Sequence, residues 1–116
     1  MLKEEQVKDL MRQLLEGISD MHERQIVHRD IKPENILIKN SKKVKDGPKA
    51  LLADFGIACL ISDENLTKQL CGTPGYIDPY ILNPPPDCTD YCVSKFMTLK
   101  SDIFSIGSVF FGMVAG

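Results

Sequence analysis

Pro33 is the residue that most limits how this chain can fold, because it stands inside VHRDIKPENILI, the stretch from Val27 to Ile38. Its ring removes a backbone donor and blocks an unbroken helix. The charged and amide side chains between His28 and Asn35 are therefore predicted on a loop with apolar flanks, beginning from a short extended piece at Ile26 and Val27. Upstream, Val7, Leu10, Met11, Leu14, Leu15 and Ile18 recur at three- and four-residue steps. That period predicts an amphipathic helix over residues 3–24, with Lys8, Asp9, Arg12, Gln13 and Glu16 on its wet face. Downstream, the apolar runs NILI and KALLADF have the length of buried strands and are separated by the basic loop KNSKKVKDGPK with its Gly47-Pro48 turn. They predict a hairpin, with strand pieces within 27–38 and 49–56.

From Gly56 to Pro79 the pattern is irregular and punctuated by Gly72, Pro74 and Gly75, as in a long functional loop. The stretch over 83–100, with NPPPDCTDYCVSKFMT at its heart, predicts a stiff surface excursion. The closing SDIFSIGSVFFGMVAG predicts a helix over 101–116, with Ser101 as N-cap and Asp102 in the first turn. Phe104, Ile106, Val109, Phe110, Phe111, Met113 and Val114 cover most of that helix's circumference, which implies burial. The fold class read from these pieces is α+β, mainly α.

Length and charge exclude several roles. A chain of 116 residues is one domain or part of one, since single domains mostly hold about 100 to 150 residues. With 26% charged and 43% hydrophobic residues it is a chain that folds. Its net charge of −2, from 14 basic against 16 acidic residues, gives no overall positive field for nucleic acid or anionic lipid. The apolar tail from Ile103 to Gly116 falls short of the ~20 residues of a membrane span. Cys59, Cys71, Cys88 and Cys92 lack paired metal spacing, and only His22 and His28 stand by to help. Free thiols in a reducing, intracellular compartment, cytoplasmic or nuclear, are the expectation. With no secretory signal, the sequon Asn65-Leu66-Thr67 is read as silent.

The chemistry sits in four side chains. A carboxylate held in reach of a hydroxyl accepts its proton, and a nearby ammonium neutralises charge on a transferring group; Asp30 and Lys32 fit these roles. Asn35 offers a neutral oxygen, and Asp54, at the end of an apolar strand before a turn that Gly56 permits, offers a second carboxylate. Together they suit Mg²⁺, a hard ion that takes oxygen ligands and phosphates. Taken singly, each residue has a plainer meaning as a turn cap, a self-bonded amide or a turn glycine.

In order and together, HRDIKPEN followed by DFG resembles the protein kinase catalytic core. The resemblance implies that Asp30 takes the proton of the acceptor hydroxyl and that Lys32 steadies the γ-phosphate. Lys32, Glu34, Asn35 and Asp54 would then serve the ATP side, with Asn35 and Asp54 holding Mg²⁺. Lys32 in DIKPEN and Thr73 in CGTPGY resemble the serine/threonine class, so the partner is a protein with a Ser or Thr acceptor. Residues 57–80 resemble the activation segment, in which Gly72, Thr73 and Tyr76 shape the place of the residue after the acceptor. His28, Gly56 and Asp102 take structural places, Asp102 bracing the catalytic loop from the central helix. Arg29 is the cation that pairs with a phosphorylated loop residue in the family. Where relatives carry that phosphorylated Thr this chain has Gln69, so Thr67 is expected to substitute. Asp78-Pro79-Tyr80 departs from the family's Ala-Pro-Glu.

The resemblance covers the first half of a kinase large lobe. No Gly-rich phosphate loop and no strand lysine of the small lobe precede it. The expectation is a segment of a serine/threonine kinase that is inactive without the small lobe and the remaining large-lobe helices, and of marginal stability. The alternative is a non-catalytic kinase-like binding module or decoy.

Overall fold

The computed structural model describes residues 2–40, 47–67, 69–83 and 98–115. Helix α1 spans Glu4–Glu23. Its first turn is tied by Gln6 Oε1, which accepts the Lys3 N–H at 2.9 Å, and Glu4 and Glu5 place negative charge at the positive end of the helix dipole. Val7, Leu10, Leu14, Ile18 and Met21 make the buried stripe. Met11 packs at its edge, whereas Leu15, predicted on the same face, is 42% exposed because it lies beyond the stripe's rim. The helix ends where Arg24 and Gln25 donate to the Met21 and His22 carbonyls, with Gln25 in the left-handed region at φ 60°.

Strands β1 (Ile26–Val27), β2 (Ile36–Lys39), β3 (Lys49–Leu52) and β4 (Cys59–Leu60) form two antiparallel pairs. The predicted hairpin is β2 with β3, with Ile36 opposite Leu52 and Lys39 opposite Lys49. The second pair, β1 with β4, puts Ile26 opposite Leu60 and Val27 opposite Cys59, and Ile61 N–H extends it to Gln25 O at 2.7 Å. This ladder joins the residues just before the charged loop to those just after Asp54-Phe55-Gly56.

Short helices α2 (Glu64–Thr67) and α3 (Pro79–Leu82) precede the long α4 (Thr98–Ala115). Asp78 caps α3 by accepting the Tyr80 N–H at 2.9 Å. Ser101 does not cap α4, contrary to the sequence reading. The helix is described over Thr98–Ala115 and carries Ser101 and Asp102 buried within it, with the Asp102 carboxylate turned to loop amides rather than to its own helix end. Burial of α4 is one-sided: Asp102, Ile106, Val109 and Phe110 face inward, while Ile103, Phe104, Val114 and Phe111, the last 75% exposed, face out. Prolines 84–86, Cys88 and Cys92 of the predicted excursion, and 41–46 of the basic loop, lie outside the described residues.

The core joins Leu10, Leu14 and Ile18 of α1 to Ile31, Ala50, Ile106, Val109 and Phe110. Ile31 anchors the charged loop from inside, and burying such a side chain stabilises by about 1.5–3 kcal/mol. Gln13, assigned to the wet face by pattern, instead bridges α1 to β3. Its Oε1 accepts the Ala50 N–H at 2.8 Å, and its Nε2 donates to Pro48 O at 3.1 Å and to Asp9 Oδ2 at 2.9 Å. One side-chain amide thus does for β3 what a neighbouring strand would do.

Gln13→Ala strands the Ala50 donor and the Pro48 acceptor, and urea unfolding is expected to show a loss of about 1–2 kcal/mol. Arg12→Ala removes only exposed ion pairs to Asp9 and Glu16, so its change is expected to stay below about 0.5 kcal/mol.

Candidate functional site

Asp102 of α4 is the centre of the site's scaffold, with a side chain 1% exposed. Its Oδ2 accepts the His28 N–H at 2.9 Å and lies 2.9 Å from His22 Nε2. Its Oδ1 accepts the Arg29 N–H at 3.0 Å. A carboxylate buried this deeply is tolerable only with such donors, and here two of them are the backbone of the charged loop.

His28 passes the anchoring onward. The Asp30 N–H donates to its Nδ1 at 3.1 Å, and its Nε2 stands 2.9 Å from Ala53 O. An amide can only donate and a carbonyl can only accept, so the ring is neutral with its proton on Nε2. Ala53 N–H in turn donates to Asn35 O at 2.8 Å, so the residue before Asp54 is tied to both ends of the loop. The Phe55 ring leans on His28 with centroids 5.0 Å apart. Arg29 at φ 73° and Asp54 at φ 54° adopt the left-handed region without being glycine. Such strain persists only where surrounding bonds impose it.

The reactive end is a compact polar group. Thr73 Oγ1 donates to Asp30 Oδ1 at 2.8 Å, and Lys32 Nζ donates to the same Thr73 oxygen at 2.9 Å while lying 3.6 Å from Asp30 Oδ2. Asn35 Nδ2 donates to Asp30 O at 2.8 Å and to Asp30 Oδ2 at 3.3 Å. Asp30 and Lys32 are both partly open to solvent. Asp54 is exposed, with Oδ1 accepting the Gly56 N–H at 3.2 Å. A Cβ on Gly56 would stand 3.0 Å from that oxygen.

Gly72 lets the backbone around it approach the charged loop closely. At φ 117° its added Cβ would lie 3.2 Å from Arg29 O and 3.1 Å from Ile77 Cγ1, so no other residue fits without displacement. Tyr76 N–H closes a turn on Thr73 O at 3.0 Å, and Tyr76 O accepts the hydroxyl of Ser105 in α4. Arg29 reaches the same segment through Ile57 O and Leu66 O. Thr67 is buried at the end of α2. Glu34 is exposed in the 3₁₀ turn Pro33–Asn35, outside the bonded group.

The structure thus brings together Asp30, Lys32, Asn35 and Thr73, and hangs them from His28, Arg29 and Asp102. Among the described residues no cluster of three or more His, Cys, Asp or Glu side chains forms a metal cage. One carboxylate and one amide oxygen are, however, a donor set that suits Mg²⁺, which keeps several waters and shares substrate phosphates. Cys59 and Cys71 are free thiols, and burial pushes the Cys59 thiol above its ordinary pKa. His22 is the residue that sequence reasoning missed: a lone His after the buried Met21, in the last turn of a helix, carries no pattern that reveals a partner eighty residues away.

A profile of the protein kinase domain matches residues 1–116. The chain is 37% identical over 115 residues to the phosphorylase b kinase gamma catalytic chain, liver/testis isoform, of Bos taurus, covering 99% of this chain and 26% of that protein. It is 35% identical over 128 residues to the DNA damage response protein kinase DUN1 of Saccharomyces cerevisiae, covering 99% and 23%. It is 36% identical over 113 residues to the probable serine/threonine-protein kinase fhkE of Dictyostelium discoideum, covering 97% and 15%. The chain therefore spans about a quarter or less of these relatives' lengths.

In Asp102→Asn an NH₂ replaces one acceptor and must face either the Arg29 amide or the His22 and His28 donors. Thermal or urea unfolding is expected to show a loss of about 2–3 kcal/mol. Asp20→Asn on the surface of α1 should leave stability within about 0.5 kcal/mol.

Proposed function

The chain belongs to the protein kinase domain family, and on that premise we propose that it carries the proton-accepting and metal-holding part of a protein serine/threonine kinase. The observation that carries this reading is the Thr73 hydroxyl on Asp30 Oδ1 at 2.8 Å with Lys32 Nζ 2.9 Å from the same hydroxyl oxygen. A hydroxyl, a carboxylate and an ammonium in mutual contact support this reading, since phosphoryl transfer to an alcohol needs a proton acceptor and a cation beside the hydroxyl.

In the proposed reaction the acceptor Ser or Thr oxygen attacks the γ-phosphorus of ATP, the bond from that phosphorus to the bridging oxygen breaks, and ADP leaves. Asp30 receives the hydroxyl proton. Lys32 offsets charge on the transferring phosphoryl oxygens, a role its position beside Asp30 supports. Asn35 Oδ1 and Asp54 would hold Mg²⁺, which supplies charge neutralisation at the β- and γ-phosphates when bound. The backbone from Gly72 to Tyr76, which passes close to Arg29 O at Gly72 and accepts the Ser105 hydroxyl at Tyr76, is the proposed seat of the protein substrate next to its acceptor residue. Transfer is assigned to an assembly in which a small lobe completes the nucleotide pocket. An intracellular setting agrees with the free thiols, and no described helix is long and apolar enough to cross a membrane.

In a kinase assembled around this chain, Asp30→Asn is expected to lower kcat about 10²–10⁴-fold with KM for ATP nearly unchanged. Asp54→Asn is expected to abolish the Mg²⁺ dependence of ATP binding measured by calorimetry. Unchanged kcat in Asp30→Asn would contradict the catalytic role given to Asp30, and no turnover in the unsubstituted assembly would favour a non-catalytic binding module.

A further inference from the structure

Of the donors recorded on the Asp102 carboxylate, two are amides of the very loop it holds and the third is a side chain from elsewhere. That side chain is the His22 ring, in the last turn of α1, with Nε2 2.9 Å from Asp102 Oδ2. A carboxylate only accepts, so the bond needs a proton on Nε2, which the ring can carry there whether neutral or charged. The backbone under the ring is pinned. His22 O accepts the Gln25 N–H at 2.9 Å and Gln25 Nε2 at 3.3 Å, and Gln25 O accepts the Ile61 N–H at 2.7 Å. Leu14 and Ile18 of the same helix share a core with Ile106 and Val109 of α4, which sets the gap that the ring spans.

Asp102 Oδ2 therefore bears two donors, His22 and the His28 N–H. Without the ring that oxygen is buried and under-bonded, and the carboxylate gains freedom to turn about its Cβ–Cγ bond. A turned carboxylate displaces the His28 amide, and the Asp30 N–H rests on His28 Nδ1 at 3.1 Å. Three hydrogen bonds thus lead from His22 to the Asp30 backbone. The Lys32 ammonium, on Thr73, and Asp54 Oδ1, on the Gly56 N–H, take no part in that path.

We propose that His22 is a positioning residue for Asp30, fixing through its Nε2 proton the carboxylate plane from which the charged loop hangs. The effect on turnover rests on the proposed kinase function; amide exchange reads loop order in the chain itself, so either can fail alone.

The experiment compares His22→Leu, which fills the space without a donor, with His22→Gln, whose Nε2 reaches about as far from Cβ as the ring's. In His22→Leu the His28 and Arg29 amides are expected to exchange at least about tenfold faster while the Leu14 and Ile18 amides stay protected. In a kinase assembled around this chain, the same variant is expected to lower kcat about tenfold or more with KM for ATP unchanged. His22→Gln is expected to stay within about threefold of the unsubstituted chain in both measurements. Unchanged exchange or unchanged kcat in His22→Leu would overturn the proposal, as would a His22→Gln variant as impaired as His22→Leu. Loss of Leu14 and Ile18 protection in His22→Leu would overturn it too, by showing a role in global stability instead.

Discussion

A carboxylate with almost no access to water, Asp102, is the constraint on which the site depends. Its charge is tolerable inside α4 because the His28 and Arg29 amides and the His22 ring converge on it. The requirement runs both ways. The carboxylate needs the loop as donor, and the loop, which pairs with no strand between Val27 and Pro33, needs the carboxylate as acceptor. A helix from the end of the chain and a loop from its first third are thereby fixed to one another by polar bonds, with Ile31, Ile106 and Val109 sealing the junction.

From that point the order spreads along definable bonds. His28 links the loop to Ala53, Ala53 links back to Asn35, and Asn35 holds Asp30 by its carbonyl and its carboxylate. The left-handed backbone at Arg29 and Asp54 is the local cost of aiming one side chain at the Ile57 and Leu66 carbonyls and the other past the strand end. Asp30, Lys32 and Thr73 then meet as a consequence of backbone positions set elsewhere.

Much of this is legible in the sequence, and for identifiable reasons. The stripe of α1 follows from periodicity, because burial along a whole element repeats its signal, whereas the β2–β3 hairpin follows from two apolar runs about a turn, although of their residues only Ala50 is buried. The meeting of Asp30, Lys32 and Asn35 was expected from residue types in a fixed order, and the structure brings these three side chains together. Features made by one bond or two residues leave no period to detect: the β1–β4 ladder, the bridge by Gln13 and the partnership of His22 with Asp102 all fall in that class. The N-cap expected at Ser101 failed because a Ser-Asp pair before an apolar run looks the same whether it caps a helix or is buried inside one. All-round apolarity of α4 likewise reports what the helix can bury, while Phe111 and Val114 show which part of it remains uncovered here.

The central claim is that a single buried carboxylate holds the charged loop that begins at His28. The most direct check is the NMR exchange rate of the His28 and Arg29 amide protons, whose recorded acceptor is the Asp102 side chain. The account predicts protection comparable to that of the Leu14 and Ile18 amides in the core of α1. Exchange as fast as that of Gly75, in the turn between Thr73 and Tyr76, would contradict it.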